Sequence, residues 1–125
     1  MRALVADTST IMRKVLVGAL NRAGIIQVEQ TSDGLAVVEM LAAESYDLVL
    51  MDTHLQSLHG LDALRAVREK GNRVPVILVT AEGERSLVMD ALKAGANAYV
   101  IKPVEPQVLV MKIVEVLAKA SQPGQ

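Results

Sequence analysis

Short apolar runs and longer amphipathic segments alternate five times along the chain, an order that argues for a layered α/β fold rather than α+β. Ala3–Ala6, Leu48–Met51, Val74–Val79 and Ala98–Ile101 are continuous runs, rich in Val, Ile and Leu apart from the alanines, as strands buried on both faces are. A fifth run, Ile25–Glu29, is interrupted by polar residues and reads as an edge strand. The segments between them predict helices with recognisable ends. Ser9 or Thr10 caps the first, over Ile11–Ala23, which stops at Gly24. Asp33 opens the second, over Gly34–Ala43, and the third runs from Leu61 to Lys70 before Gly71. The fourth covers Glu84–Ala94 before Gly95, and the fifth, with Pro106 in its first turn, continues to Ala120. Right-handed crossovers then place helices on both faces of a five-stranded parallel sheet. The expected organisation is one domain over residues 1–120, followed by a polar tail or linker stump at 121–125.

The ends of the runs carry the chemistry. Ala3–Ala6 runs into Asp7, Leu48–Met51 into Asp52, Val74–Val79 into Thr80 and Ala98–Ile101 into Lys102. Ligands of open parallel sheets bind outside the carboxyl ends of the strands. Two carboxylates, a hydroxyl and an ammonium therefore meet at one edge, a set suited to a metal ion and a phosphoryl group. A lone strand-end aspartate is ordinarily a loop cap, but two on neighbouring strands repel unless a cation sits between them. Oxygen donors of this kind suit Mg²⁺, which uses one or two carboxylates and keeps several waters.

Composition narrows the picture. The chain has 125 residues, 51% of them apolar, enough for one well-developed core. Its net charge of −1, with acids and bases interspersed, gives no electrostatic reason for nucleic-acid or anionic-membrane binding. Cysteine is absent, which excludes disulfides and thiolate metal sites. There is no signal-peptide pattern and no apolar stretch approaching the ~18–20 residues that span a bilayer. The expectation is a soluble, cytoplasmic domain.

Taken together, Ala6-Asp7-Thr8-Ser9 with Met12-Arg13, Met51-Asp52 with Gly60-Leu61, Thr80-Ala81-Glu82, Lys93-Ala94-Gly95-Ala96 and Tyr99-Val100-Ile101-Lys102-Pro103 resemble the response-regulator receiver domain over the whole chain. Within that family the resemblance is strongest to the single-domain chemotaxis regulators. It implies a flavodoxin-like fold with strand order 2-1-3-4-5. It implies that Asp52 is the phosphoacceptor for a sensor histidine kinase, and that the chain is a signalling protein assisting its own phosphorylation and dephosphorylation rather than an enzyme. Asp7, Asp52 and the backbone carbonyl of His54 would ligate Mg²⁺ or Mn²⁺, Lys102 would neutralise phosphoryl charge, and Thr80 would donate its hydroxyl. Thr80 and Tyr99 would form the switch, the ring moving inward as the hydroxyl moves toward the phosphoryl. His54 and Glu82 would tune hydrolysis of the acyl phosphate.

The chain departs from the family pattern at two places. Ala6 stands where a second acid is usual, which is expected to weaken metal affinity by ~10–100-fold and leaves open a pseudo-receiver that signals without phosphorylation. Gln56 replaces a common proline, so the loop Thr53–His59 is expected to be more mobile. His54 and His59 in that loop are expected to be solvated, with a zinc or general-base role as the lesser reading. Asp7-Thr8-Ser9-Thr10 could cradle a flavin phosphate, but only Tyr46 and Tyr99 could stack on a ring and no Gly-x-Gly-x-x-Gly turn is present. On the fifth helix Leu109, Ile113, Val116 and Leu117 form a core stripe. Val104, Val108, Met111 and Val114 form a second stripe, read either as a broad core face or as a partner face. The resemblance favours the partner face, made with the fourth helix and fifth strand, for a target, an output domain or a second copy.

Overall fold

Alternate side chains of each strand point to opposite faces, and that period divides the core in two. In the computed structural model, which describes residues 1–121, the strands are β1 (Arg2–Ala6), β2 (Gln27–Thr31), β3 (Leu48–Met51), β4 (Val76–Thr80) and β5 (Ala98–Ile101). All pairings are parallel and the order is β2-β1-β3-β4-β5, as the resemblance implied. The helices are α1 (Thr10–Arg22), α2 (Gly34–Ala43), α3 (Gly60–Glu69), α4 (Arg85–Lys93) and α5 (Pro106–Ala120). Leu4, Ala6, Val49, Met51, Val76 and Leu78 pack under α2, α3 and α4. Their neighbours Ala3, Val5, Leu48, Leu50, Ile77 and Val79 pack against α1 and α5.

The caps explain where the helices start. Ser9 Oγ accepts from the Met12 N–H at 3.1 Å, and Asp33 Oδ1 accepts from Leu35 and Ala36 at 2.8 and 3.0 Å. His59 Nδ1 accepts from the Leu61 N–H at 3.2 Å and opens α3.

The second strand begins two residues later than expected. Ile25 closes α1 instead: after Gly24, at φ 92°, its N–H returns to the Leu20 carbonyl and its side chain enters the core, the hydrophobic contact typical of such a helix end. Pro75 similarly precedes β4, which starts at Val76. On α5, Val108, Met111 and Val114 are exposed, whereas Val104 is half-buried against the α1/α5 core and leaves the expected stripe. Ser121 ends α5, and the rest of the expected tail, residues 122–125, lies outside the described residues. Among the described residues no helix is long and apolar enough to cross a membrane.

Candidate functional site

The chain leaves β1 for the edge strand β2, then returns past β1 to β3, so a crevice opens between the carboxyl ends of β1 and β3. Ladder bonds extend past the strands and fix the residues beyond them. The Asp52 N–H donates to the Ala6 carbonyl at 2.9 Å, the Asp7 N–H to Thr31 at 3.1 Å, and the Lys102 N–H to Thr80 at 2.8 Å. The four strand-end residues singled out in the sequence therefore sit at one edge.

Asp7 and Asp52 are both buried, at 1% and 6% exposure. The cation that this pair demands is the Lys102 ammonium, whose Nζ lies 2.8 Å from Asp7 Oδ2 and 2.9 Å from Asp52 Oδ2. Burial pulls the Lys102 pKa down, but its hydrogen bonds to the two carboxylates and their charges push harder, and the net shift is upward. The other carboxylate oxygens meet backbone donors. Asp7 Oδ1 accepts from the Ser9 N–H at 2.8 Å, and Asp52 Oδ1 from the Thr53 N–H at 2.7 Å. Arg13 Nη1 holds the Asp7 carbonyl at 2.6 Å. Ser9 Oγ serves α1, Asp7 serves Lys102 and Thr10 Oγ1 accepts from Arg13 Nη2 at 3.2 Å, so three of the four residues of the hydroxyl-rich loop are committed within the chain.

The donor set fits Mg²⁺. Two carboxylates turn one oxygen each toward a single cationic position, and hard oxygen donors are what this ion selects. The His54 carbonyl takes no part in the backbone bonds of its loop among the described residues. Ala6 is fully buried beside Met51 and brings no side-chain oxygen to the edge.

The loop after Asp52 is anchored rather than loose. The Gln56 N–H donates to the Ser32 carbonyl at 3.1 Å, and the Gly34 N–H to the Gln56 carbonyl at 2.8 Å. Ser57, held at φ 69°, donates to Asp33 Oδ2 at 2.7 Å. Backbone pairing with the β2–α2 loop thus supplies the restraint that proline was expected to give.

Neither loop histidine is merely solvated. His54 Nε2 lies 2.9 Å and His59 Nε2 3.3 Å from Glu82 Oε1. Since His59 Nδ1 accepts a bond, its proton is on Nε2, facing the carboxylate. Among the described residues no group of three or more His, Cys, Asp or Glu side chains is arranged to hold a metal ion.

Thr80 and Tyr99 converge on the same segment. Thr80 is fully buried, and its Oγ1 lies 2.6 Å from Thr53 Oγ1. The Tyr99 hydroxyl donates to the Glu82 backbone carbonyl. Thr53 is the residue that sequence reasoning missed. It is fully buried and bonds to both Thr80 and Glu82, yet no periodicity or spacing marks a threonine after a strand-end aspartate.

Comparison with known proteins agrees with this geometry. The family described as "Response regulator receiver domain" matches residues 3–114. "Chemotaxis protein CheY" of Pseudomonas aeruginosa is 33% identical over 123 residues, covering 97% of this chain and 99% of that protein. "Chemotaxis protein CheY1" of Helicobacter pylori is 38% identical over 120 residues, covering 94% and 97%. Among solved structures, the receiver domain of a sensor histidine kinase from Pseudomonas aeruginosa, described with a magnesium ion coordinated in its active-site cleft, superposes with a TM-score of 0.83 at 28% identity, covering 94% of this chain and 97% of that one.

Proposed function

The chain belongs to the response-regulator receiver family of two-component signalling, and on that premise we propose that Asp52 accepts a phosphoryl group from the phosphohistidine of a histidine kinase. One observation carries the reading: a buried carboxylate at the sheet's carboxyl edge faces an ammonium at 2.9 Å, with a second buried carboxylate on the same ammonium. An Asp52 carboxylate oxygen attacks phosphorus, the P–N bond to the kinase imidazole breaks, and the imidazole leaves with the electron pair and takes up a proton. Nucleophile and phosphoryl are both anionic, so positioning and charge neutralisation must supply the catalysis. Lys102 provides a fixed positive charge at the attacking carboxylate, and the Thr53 N–H holds the other oxygen of Asp52. Mg²⁺ or Mn²⁺, held by Asp7, Asp52 and the His54 carbonyl, would supply further neutralisation and orientation of the phosphoryl oxygens. Thr80 donates its hydroxyl to the phosphoryl group, and Tyr99 follows by giving up its present hold on Glu82. His54 and Glu82, paired at the site mouth, govern how water reaches the acyl phosphate. Asp52 is itself the modified group, so the chain is a signalling phosphoacceptor rather than a turnover enzyme, and its proposed location is the cytoplasm, with its kinase.

Met89 and Leu92 on α4, Ile101 on β5, and Val108, Met111 and Val114 on α5 are exposed apolar residues. We assign partner binding, whether to a target or a second copy, to this α4–β5–α5 side. A second reading, a pseudo-receiver signalling by contact alone, is favoured by Ala6.

Phosphotransfer from a chemotaxis-type histidine kinase carrying labelled phosphate separates these readings. Label passes to the wild type when Mg²⁺ is present and is lost on chelation with EDTA. The variant Val108→Glu combined with Met111→Glu still accepts label but loses target binding or self-association. Absence of label at every Mg²⁺ concentration would establish the pseudo-receiver, and unaltered association in the double variant would return that stripe to the scattered surface.

A further inference from the structure

Thr80 has one hydroxyl proton, and its surroundings fix where that proton goes. Thr53 Oγ1 lies 2.6 Å from Glu82 Oε1 and 2.6 Å from Thr80 Oγ1. An ionised carboxylate only accepts hydrogen bonds. Glu82 Oε1 also receives the Nε2 atoms of His54 and His59, at 2.9 and 3.3 Å, so it stands as the common acceptor of the cluster. Two oxygens this close with no proton between them repel. The single Thr53 proton therefore goes to Glu82, and the lone pair of Thr53 accepts the Thr80 proton. Thr80 Oγ1 in turn accepts from the Glu82 N–H at 3.2 Å. Both threonines are fully buried, so bulk water does not compete for these bonds.

We propose that Thr53 is a positioning residue that, anchored by Glu82, withholds the Thr80 hydroxyl proton from the phosphoryl position. The inference rests on the reading of Asp52 as phosphoacceptor and Thr80 as donor to the phosphoryl group. For Thr80 to serve there, its bond to Thr53 breaks and the hydroxyl turns. A charged phosphoryl oxygen is the stronger acceptor and compensates once it arrives, so the latch raises the barrier to arrival more than it penalises the product. The Tyr99 hydroxyl is held by the backbone of the same Glu82. One residue thereby restrains both halves of the switch, through its carboxylate and its carbonyl. His54 and His59 keep the Glu82 carboxylate in place from the solvent side.

The test is the rate of phosphorylation of the whole chain by acetyl phosphate with Mg²⁺, followed by intact mass against donor concentration. Thr53→Val preserves shape and removes only the hydroxyl. It raises the maximal rate by about two- to tenfold, the value of one neutral hydrogen bond, at an unchanged half-saturating donor concentration. Thr53→Ser retains the hydroxyl and restores the slow rate. Glu82→Ala lets Thr53 donate to Thr80 instead, and accelerates phosphorylation even if Thr53→Val folds poorly. A wild type phosphorylated as fast as Thr53→Val and Glu82→Ala, or equal acceleration by Val and Ser, overturns the latch alone. A wild type that takes no phosphoryl group overturns the phosphoacceptor reading and the latch with it.

Discussion

At the carboxyl edge of the sheet one ammonium faces two buried carboxylates, and the three charges are energetically inseparable. Removing one member of a buried ion cluster leaves charge uncompensated, at a cost of about 3–5 kcal/mol. Lys102→Met should therefore lower unfolding stability in EDTA by about that amount, and Mg²⁺ should recover part of it by occupying the same carboxylate oxygens. The pH dependence follows from the raised pKa of Lys102. A lysine whose folded pKa lies above its unfolded value, about 10.4, contributes its full stability below that pH and loses it as pH rises through the folded value. Urea midpoints of the wild type should fall above about pH 10.4, and Lys102→Met should lack that part of the slope. Equal midpoints for the two proteins in EDTA at pH 7 would show that the ammonium is dispensable.

The elements were largely legible because their signals are local. Continuous apolar runs marked β1, β3 and β5, and Ser9, Asp33 and Pro106 marked helix starts. The second strand was misplaced because Ile25 and Ile26 look like strand residues, yet one seals the end of α1 and the other stays 82% exposed. The strand-end chemistry was visible for the same reason as the strands, since Asp7, Asp52, Thr80 and Lys102 each end a run. What stayed hidden was pairing between distant residues. Lys102 reaches Asp7 across 95 residues, Thr53 reaches Thr80 across 27, and the Gln56 loop is fastened to Ser32 and Gly34. No periodicity records such contacts. Gly60, at the start of α3, belongs to this group. A Cβ there would lie 2.2 Å from the Asp52 carbonyl oxygen and 2.9 Å from Thr53 Cα, both backbone. Gly60→Ala should cost about 1–3 kcal/mol by overpacking, read from urea denaturation, and should slow phosphorylation by displacing Asp52. A variant with wild-type stability and rate would show that the β3–α3 loop gives way freely.

For the molecule as a whole, the topology brings residues from both ends of the chain to one edge and leaves exposed apolar residues on the α4–β5–α5 side. The two are joined physically: the Glu82 segment touches the site through Thr53 and Thr80, and β5 through Tyr99. A charge arriving at Asp52 can therefore bias the surface where α4, β5 and α5 meet. All of this depends on Asp52 being the residue that accepts the phosphoryl group. The most direct measurement is the intact mass of the whole chain after incubation with acetyl phosphate and Mg²⁺, beside Asp52→Asn treated identically. The wild type should gain one phosphoryl group, absent in EDTA and absent from Asp52→Asn. An unchanged wild-type mass over a wide range of donor and Mg²⁺, or equal modification of Asp52→Asn, would contradict it.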